Sequence, residues 1–239
     1  MTGARVAGVG LLTGFGEGVR ALPDDLARAT GNRRVVAIPH LALAGDRFRR
    51  ATRECVLGVR AVNALLAEVG ESRARIAGTN TALVYVTAAA YGAANRAFIE
   101  GTQGSASTLH FPYTAPSAVS AEVAIEFGLR GDYAILLGDG AATDEALWHA
   151  ATLLERGACA RVLVLAVETF AECADLYARG RWLVRWPLVE AAACALLVPG
   201  EPTTPVADAV VRARAGETGA CAPLIGFALA LAEGAVPAP

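Results

Sequence analysis

Short apolar runs alternate with stretches of helical period from one end of the chain to the other. Runs at 5–11, 82–87, 133–137, 161–167 and 192–198 have strand length and are largely Val, Leu, Ile and Ala, and two further runs, 206–214 and 225–231, read the same way. Between them, residues 45–69 place Phe48, Ala51, Val56, Val59, Val62, Leu65 and Leu66 at helical spacing with arginines on the other side, which predicts an amphipathic helix. Segments 117–127 and 141–156 predict helices by the same rule. The second leaves its strand through the turn Leu137-Gly138-Asp139-Gly140, a place where a fold of this kind exposes reactive groups. The alternation implies an α/β protein: a mixed, mostly parallel five-stranded sheet covered by helices on both faces. No repeat or low-complexity linker divides the chain, so residues 1–239 read as a single domain with its core at about 5–200 and with 201–239 as short strands and a loose tail.

Composition narrows the picture. With 54% hydrophobic and 18% charged residues there is ample apolar material for a sizeable core. A net charge of -2 supplies no field for a nucleic-acid backbone or an anionic bilayer, so neither is expected as a partner. No apolar run approaches the roughly 18 to 20 residues that span a membrane. Residues 6–12 have the apolar character of a short leader, but glycines interrupt them and they run into Asp24 and Asp25 without a cleavage pattern. The five cysteines, Cys55, Cys159, Cys173, Cys194 and Cys221, are scattered and odd in number, which suits a reducing cytoplasm. The absence of lysine excludes a lysine Schiff base and a P-loop lysine.

Local motifs offer little independent chemistry. Gly8-Val9-Gly10 begins a dinucleotide fingerprint, but Thr13 stands where the third small residue belongs and no acidic residue closes a second strand, so no cofactor is expected. His40, His110 and His149 lack the spacing of a metal site, and none is expected. His149, between Trp148 and Ala150 in mid-helix, reads as a packed histidine, not a base. Asp139 and Asp144 flank the start of the 141–156 helix, where a carboxylate accepts orphan amide protons and so acts as a cap.

Four segments in order resemble the β-ketoacyl synthase family of the thiolase superfamily. They are Val6 through Val19 with its run of glycines, Gly45-Asp46-Arg47-Phe48-Arg49-Arg50, Phe111-Pro112-Tyr113-Thr114-Ala115-Pro116-Ser117, and Ala124-Ile125-Glu126-Phe127-Gly128-Leu129-Arg130-Gly131. The resemblance implies a thiolase-like amino-terminal half. In the family the next strand ends in an elbow whose cysteine heads a buried helix and attacks the thioester. Counting without gaps places Gly140 there, beside Asp139, so the nucleophile position is vacant and no catalytic residue is expected. The family's two histidines and lysine belong to a carboxy-terminal half that this sequence does not include. The resemblance therefore implies a chain-length-factor-like pseudoenzyme, the partner of a full-length ketosynthase or of a second copy of itself, with acyl carrier protein an indirect partner. The setting would be cytoplasmic fatty-acid, aryl polyene or polyketide biosynthesis. Leu109, His110, Phe111 and Pro112 would lie at the interface and gate the partner's tunnel. The alternative is an acyltransferase or hydrolase whose active site has moved to Asp139, Cys173 or Ser117.

Overall fold

The structure is a computed structural model and describes residues 3–33, 35–39, 43–45, 48, 51–102, 108–170 and 186–234, with the side chains at 93, 97, 102 and 108–110 outside the description. The glycine-rich opening is strand β1 (Ala4–Thr13), with Gly8 and Gly10 inside it and not in a phosphate-binding turn. Close packing requires both glycines. A Cβ on Gly10 would lie 2.1 Å from the Leu65 nitrogen and 2.4 Å from the Ala61 carbonyl oxygen, and one on Gly8 would lie 2.3 Å from Val69 Cγ1. The chain continues through β2 (Gly16–Glu17), α1 (Leu26–Thr30) and β3 (Val35–Val36) to α2 (Arg53–Val69), whose apolar stripe presses on those glycines. The 45–69 pattern overestimated this helix at its start. Residues 43–45 and 51–52 are not α-helical, and 46, 47, 49 and 50 lie outside the described residues.

After the short α3 (Arg73–Ile76) come β4 (Thr81–Thr87), α4 (Gly92–Thr102), a 3₁₀ segment (Thr108–Thr114), α5 (Ser117–Phe127), β5 (Tyr133–Leu137), α6 (Gly140–Glu155) and β6 (Arg161–Glu168). Then follow β7 (Leu188–Val189), β8 (Ala191–Pro199), α7 (Asp208–Ala215) and α8 (Ala222–Gly234). The principal sheet has the order β2-β1-β8-β6-β4-β5, and β3 pairs with β7 beside it. β6, β4 and β5 pair in parallel, while β8 runs antiparallel to both β6 and β1. Of the five long strands, four thus point one way and one is reversed.

Strands β4 and β6 read as unbroken apolar runs because both of their faces are covered. Val84, Val86, Val164 and Ala166 face the cluster containing Ala146 and Ala150 of α6 and Leu224 and Ile225 of α8. Leu83, Tyr85, Leu163 and Leu165 face the cluster containing Leu57 and Leu65 of α2 and Val123 of α5. Each side is a helix layer on a sheet, with side chains alternating between them.

The chain after 200 departs from expectation: the 206–214 and 225–231 runs are helices, not strands. Asp208 in the first turn and Arg212 one turn on form an (i, i+4) ion pair at 2.8 Å, which suits a helix and is impossible along one face of a strand. The α8 sequence is apolar nearly all round, so it carries no period to separate helix from strand. Leu224, Ile225 and Leu229 are buried on the sheet.

Candidate functional site

The elbow forms where β5 hands over to α6. Gly138 sits at φ 158°, and a Cβ there would lie 2.8 Å from that of Ala142, so the tight turn requires glycine. Asp139 caps α6 by accepting a hydrogen bond from the Ala141 amide at 3.1 Å, as its position in the sequence suggests. Gly140, the first helical residue, has no such backbone demand. A Cβ on it would meet Pro223 Cδ and Cγ at 3.5 Å and the Gly219 carbonyl oxygen at 3.9 Å. The turn Gly219–Cys221 and the head of α8 therefore press over this position. Thr143 anchors them, its buried hydroxyl donating to the Ala220 carbonyl at 2.6 Å.

A cavity of about 540 Å³ opens beside the elbow, between the first turn of α6, α7 and this turn. Its lining is acidic: Asp139, Asp144, Asp208 and Glu217 surround Arg212, which pairs with Asp208 at 2.8 Å and Glu217 at 3.1 Å. Loss of water contact, reinforced by Asp208, raises the Asp144 carboxyl above its ordinary value.

Among the described residues, the most perturbed carboxylate stands behind the elbow. Glu168, fully buried at the end of β6, accepts hydrogen bonds from the amides of Ala88 at 2.5 Å, Ala89 at 3.2 Å and Ala220 at 3.4 Å. It joins the loop after β4 to the turn that covers Gly140. Gly219 lies against it at φ 55°, where a Cβ would come within 3.1 Å of Glu168 Cγ. Burial pushes the carboxyl up to about 7, only partly offset by those amides. The sequence reading ended this strand at Val167 and missed Glu168; the signal was an acid closing an otherwise apolar run. Glu190 was missed in the same way. Also buried, it receives the Ile38 amide at 2.9 Å and the Arg53 guanidinium at 2.6 Å.

The remaining candidates are dispersed. Cys55 is buried, with its thiol pushed up to about 12, and burial drives Cys194 and Cys221 higher still, so none of these offers a thiolate. Cys159 is half-buried and also raised, and Cys173 lies outside the described residues. His149 is half-buried on α6, nine residues beyond Gly140 and on the order of 13 Å up the helix axis; His40 lies outside the described residues. Ser117 lines a different cavity. Among the described residues, no group of histidine, cysteine and acidic side chains is placed to hold a metal, and no helix is long and apolar enough to cross a membrane. Of the four residues expected at a tunnel gate, Phe111 is 63% exposed and packs its ring 5.7 Å from that of Phe98, and Pro112 is exposed. The side chains of Leu109 and His110 are outside the description.

The far edge of β5 has no strand partner among the described residues. On β5 Tyr133 (71%) and Leu137 (57%) are exposed, as is Trp148 (72%) on α6.

A sheet of this order with one reversed strand, a capped helix springing from an elbow on β5, and helix layers on both faces define the amino-terminal half of a thiolase-type fold. Residues 41–184, more than half of the chain, match the family model described as "Beta-ketoacyl synthase, N-terminal domain", and the chain belongs to that family. Among similar solved structures, "The ishigamide ketosynthase/chain length factor" superposes with a TM-score of 0.66 at 18% identity, covering 82% of this chain and 62% of that one. A β-ketoacyl synthase from Burkholderia phymatum gives 0.63 at 16% identity, covering 83% and 59%. A ketosynthase in complex with its chain length factor from Xenorhabdus doucetiae gives 0.59 at 15% identity, covering 84% and 80%. The chain thus spans about three-fifths of the length of the first two. No curated protein matches the sequence.

Proposed function

We propose that the protein is a non-catalytic ketosynthase-like subunit, the chain-length-factor-type partner of an active ketosynthase in fatty-acid, polyene or polyketide assembly. The observation that carries this reading is the elbow: the residue heading α6 is Gly140, which offers no atom to acylate, and Pro223 packs 3.5 Å from where its Cβ would be. Thioester exchange needs a nucleophile activated by a neighbouring base, and His149 is more than two helical turns away. The open β5 edge with Tyr133, Leu137 and Trp148 is the surface for the partner strand, and the 3₁₀ segment holding Phe111 and Pro112 borders the partner's acyl tunnel. A bulky Phe111 there limits the length of the product by steric overlap.

Co-expression with a full-length ketosynthase, followed by size-exclusion chromatography with light scattering, tests the reading. The expected result is a stable heterodimer whose products change in length when Phe111 is replaced by alanine. A pair that stays separate, or a stable acyl adduct on the purified chain alone, overturns it.

A further inference from the structure

A second cavity, of about 440 Å³, lies away from the elbow, at the other end of β5. One wall is a single face of α5, from Ser117 through Ser120 and Ala121 to Ala124, a run of about 10 Å along the helix. The floor is Leu83 and Leu129, both nearly fully buried. The opposite wall, 129–133, is rigidly set. Arg130 donates its amide to the Gly78 carbonyl, Asp132 accepts from the Leu83 amide, and Gly131 lies so close to β4 that a Cβ would fall 2.3 Å from the Thr81 carbonyl oxygen.

One buried polar group in this cavity is unsatisfied, and one cation stands at its rim. Thr81 lines it with a fully buried side chain whose hydroxyl has no hydrogen-bond partner, a costly arrangement unless a ligand meets it. Arg130, exposed at the rim, takes part in none of the ion pairs among the described residues. Gly131, next in the chain to Arg130, packs against the Thr81 carbonyl, so the backbones of Arg130 and Thr81 lie at the same part of the cavity wall.

We propose that this cavity binds a linear amphipathic carboxylate. The carboxylate accepts hydrogen bonds from the Arg130 guanidinium and the Thr81 hydroxyl, and the apolar body lies over Leu83 and Leu129 along α5. A guanidinium supplies the fork that a carboxylate fits, while Asp132 at the same rim disfavours a ligand with further negative charge. The site is built within one chain and is separate from the vacant elbow; Tyr133 at its rim also belongs to the open β5 edge, so the proposal is tested on the purified chain alone.

Calorimetric titration of the purified chain with octanoate, with 1-octanol and octylamine as comparisons, tests the assignment. Octanoate is expected to bind saturably and more tightly than either. Thr81→Val, which keeps shape and burial, is expected to weaken it about fivefold and Arg130→Gln about tenfold. Ala124→Leu, which fills the groove, is expected to abolish the signal while thermal unfolding stays cooperative. Equal affinity for the alcohol, preference for the amine, unchanged binding by Thr81→Val and Arg130→Gln, or no saturable heat with any of the three would each overturn the proposal.

Discussion

Glu168 makes the stability of this protein depend on pH in an unusual direction. Its carboxyl is held near 7 in the folded chain against an ordinary value of 4.5, so the native state keeps a proton that the unfolded chain releases. The contribution to stability is fully present below about pH 4.5 and is lost as pH rises through 7. At about 1.4 kcal/mol per tenfold change in proton affinity, the loss reaches roughly 3 kcal/mol by pH 8. The ionisable groups packed around it, Tyr85 and Cys221, are themselves pushed upward by burial and stay neutral through that range. Glu168→Gln copies the neutral acid in shape. It should match the wild-type protein within about 1 kcal/mol at pH 5 and exceed it by about 3 kcal/mol at pH 8. Urea unfolding at pH 5, 6, 7 and 8, extrapolated to water, measures both curves. Parallel curves, or a wild-type protein that gains stability between pH 5 and 8 relative to the variant, would refute the reasoning.

Three further outcomes are expected. Gly10→Ala should lower stability by about 3 kcal/mol, because its methyl would strike the backbone of α2, which cannot move aside; thermal unfolding reads it. Gly140→Cys should fold but take no acyl group from a thioester donor, since no described imidazole lies beside it, and intact-mass spectrometry detects any adduct. Leu137→Asp, at an exposed edge position, should leave circular dichroism unchanged while preventing association with a ketosynthase in light scattering, by setting an unpaired charge in the joining strand.

How much of this was legible in the sequence depended on whether the physics was local. β1, β4, β5, β6 and β8 and the helices α5 and α6 fall within about two residues of the runs that predict them, because burial on one or both faces writes itself into the period. Residues 206–214 misled because valine and alanine alternate with charged residues there, and α8 misled because an almost wholly apolar helix has no polar face. The elbow and the Asp139 cap were readable from the turn residues alone. Its covering was not: Pro223 and Gly219 reach Gly140 from some eighty residues away, and Glu168 finds its amide donors on two separate loops. Such contacts exist only once the topology has closed.

The reversed strand β8 has a consequence for how the chain is made. Ala4 pairs with Pro199, so β1 cannot join the main sheet until β8, made much later, follows it from the ribosome. At roughly 5 to 20 residues per second that wait lasts on the order of 10 to 40 seconds, during which an apolar strand is without its main neighbour. The parallel trio β4, β5 and β6 is complete earlier and offers β6 as the nucleus on which β8 docks. Capture of β1 by β8 is then a late event in building the sheet, and a chaperone that shelters nascent segments would be needed most by β1.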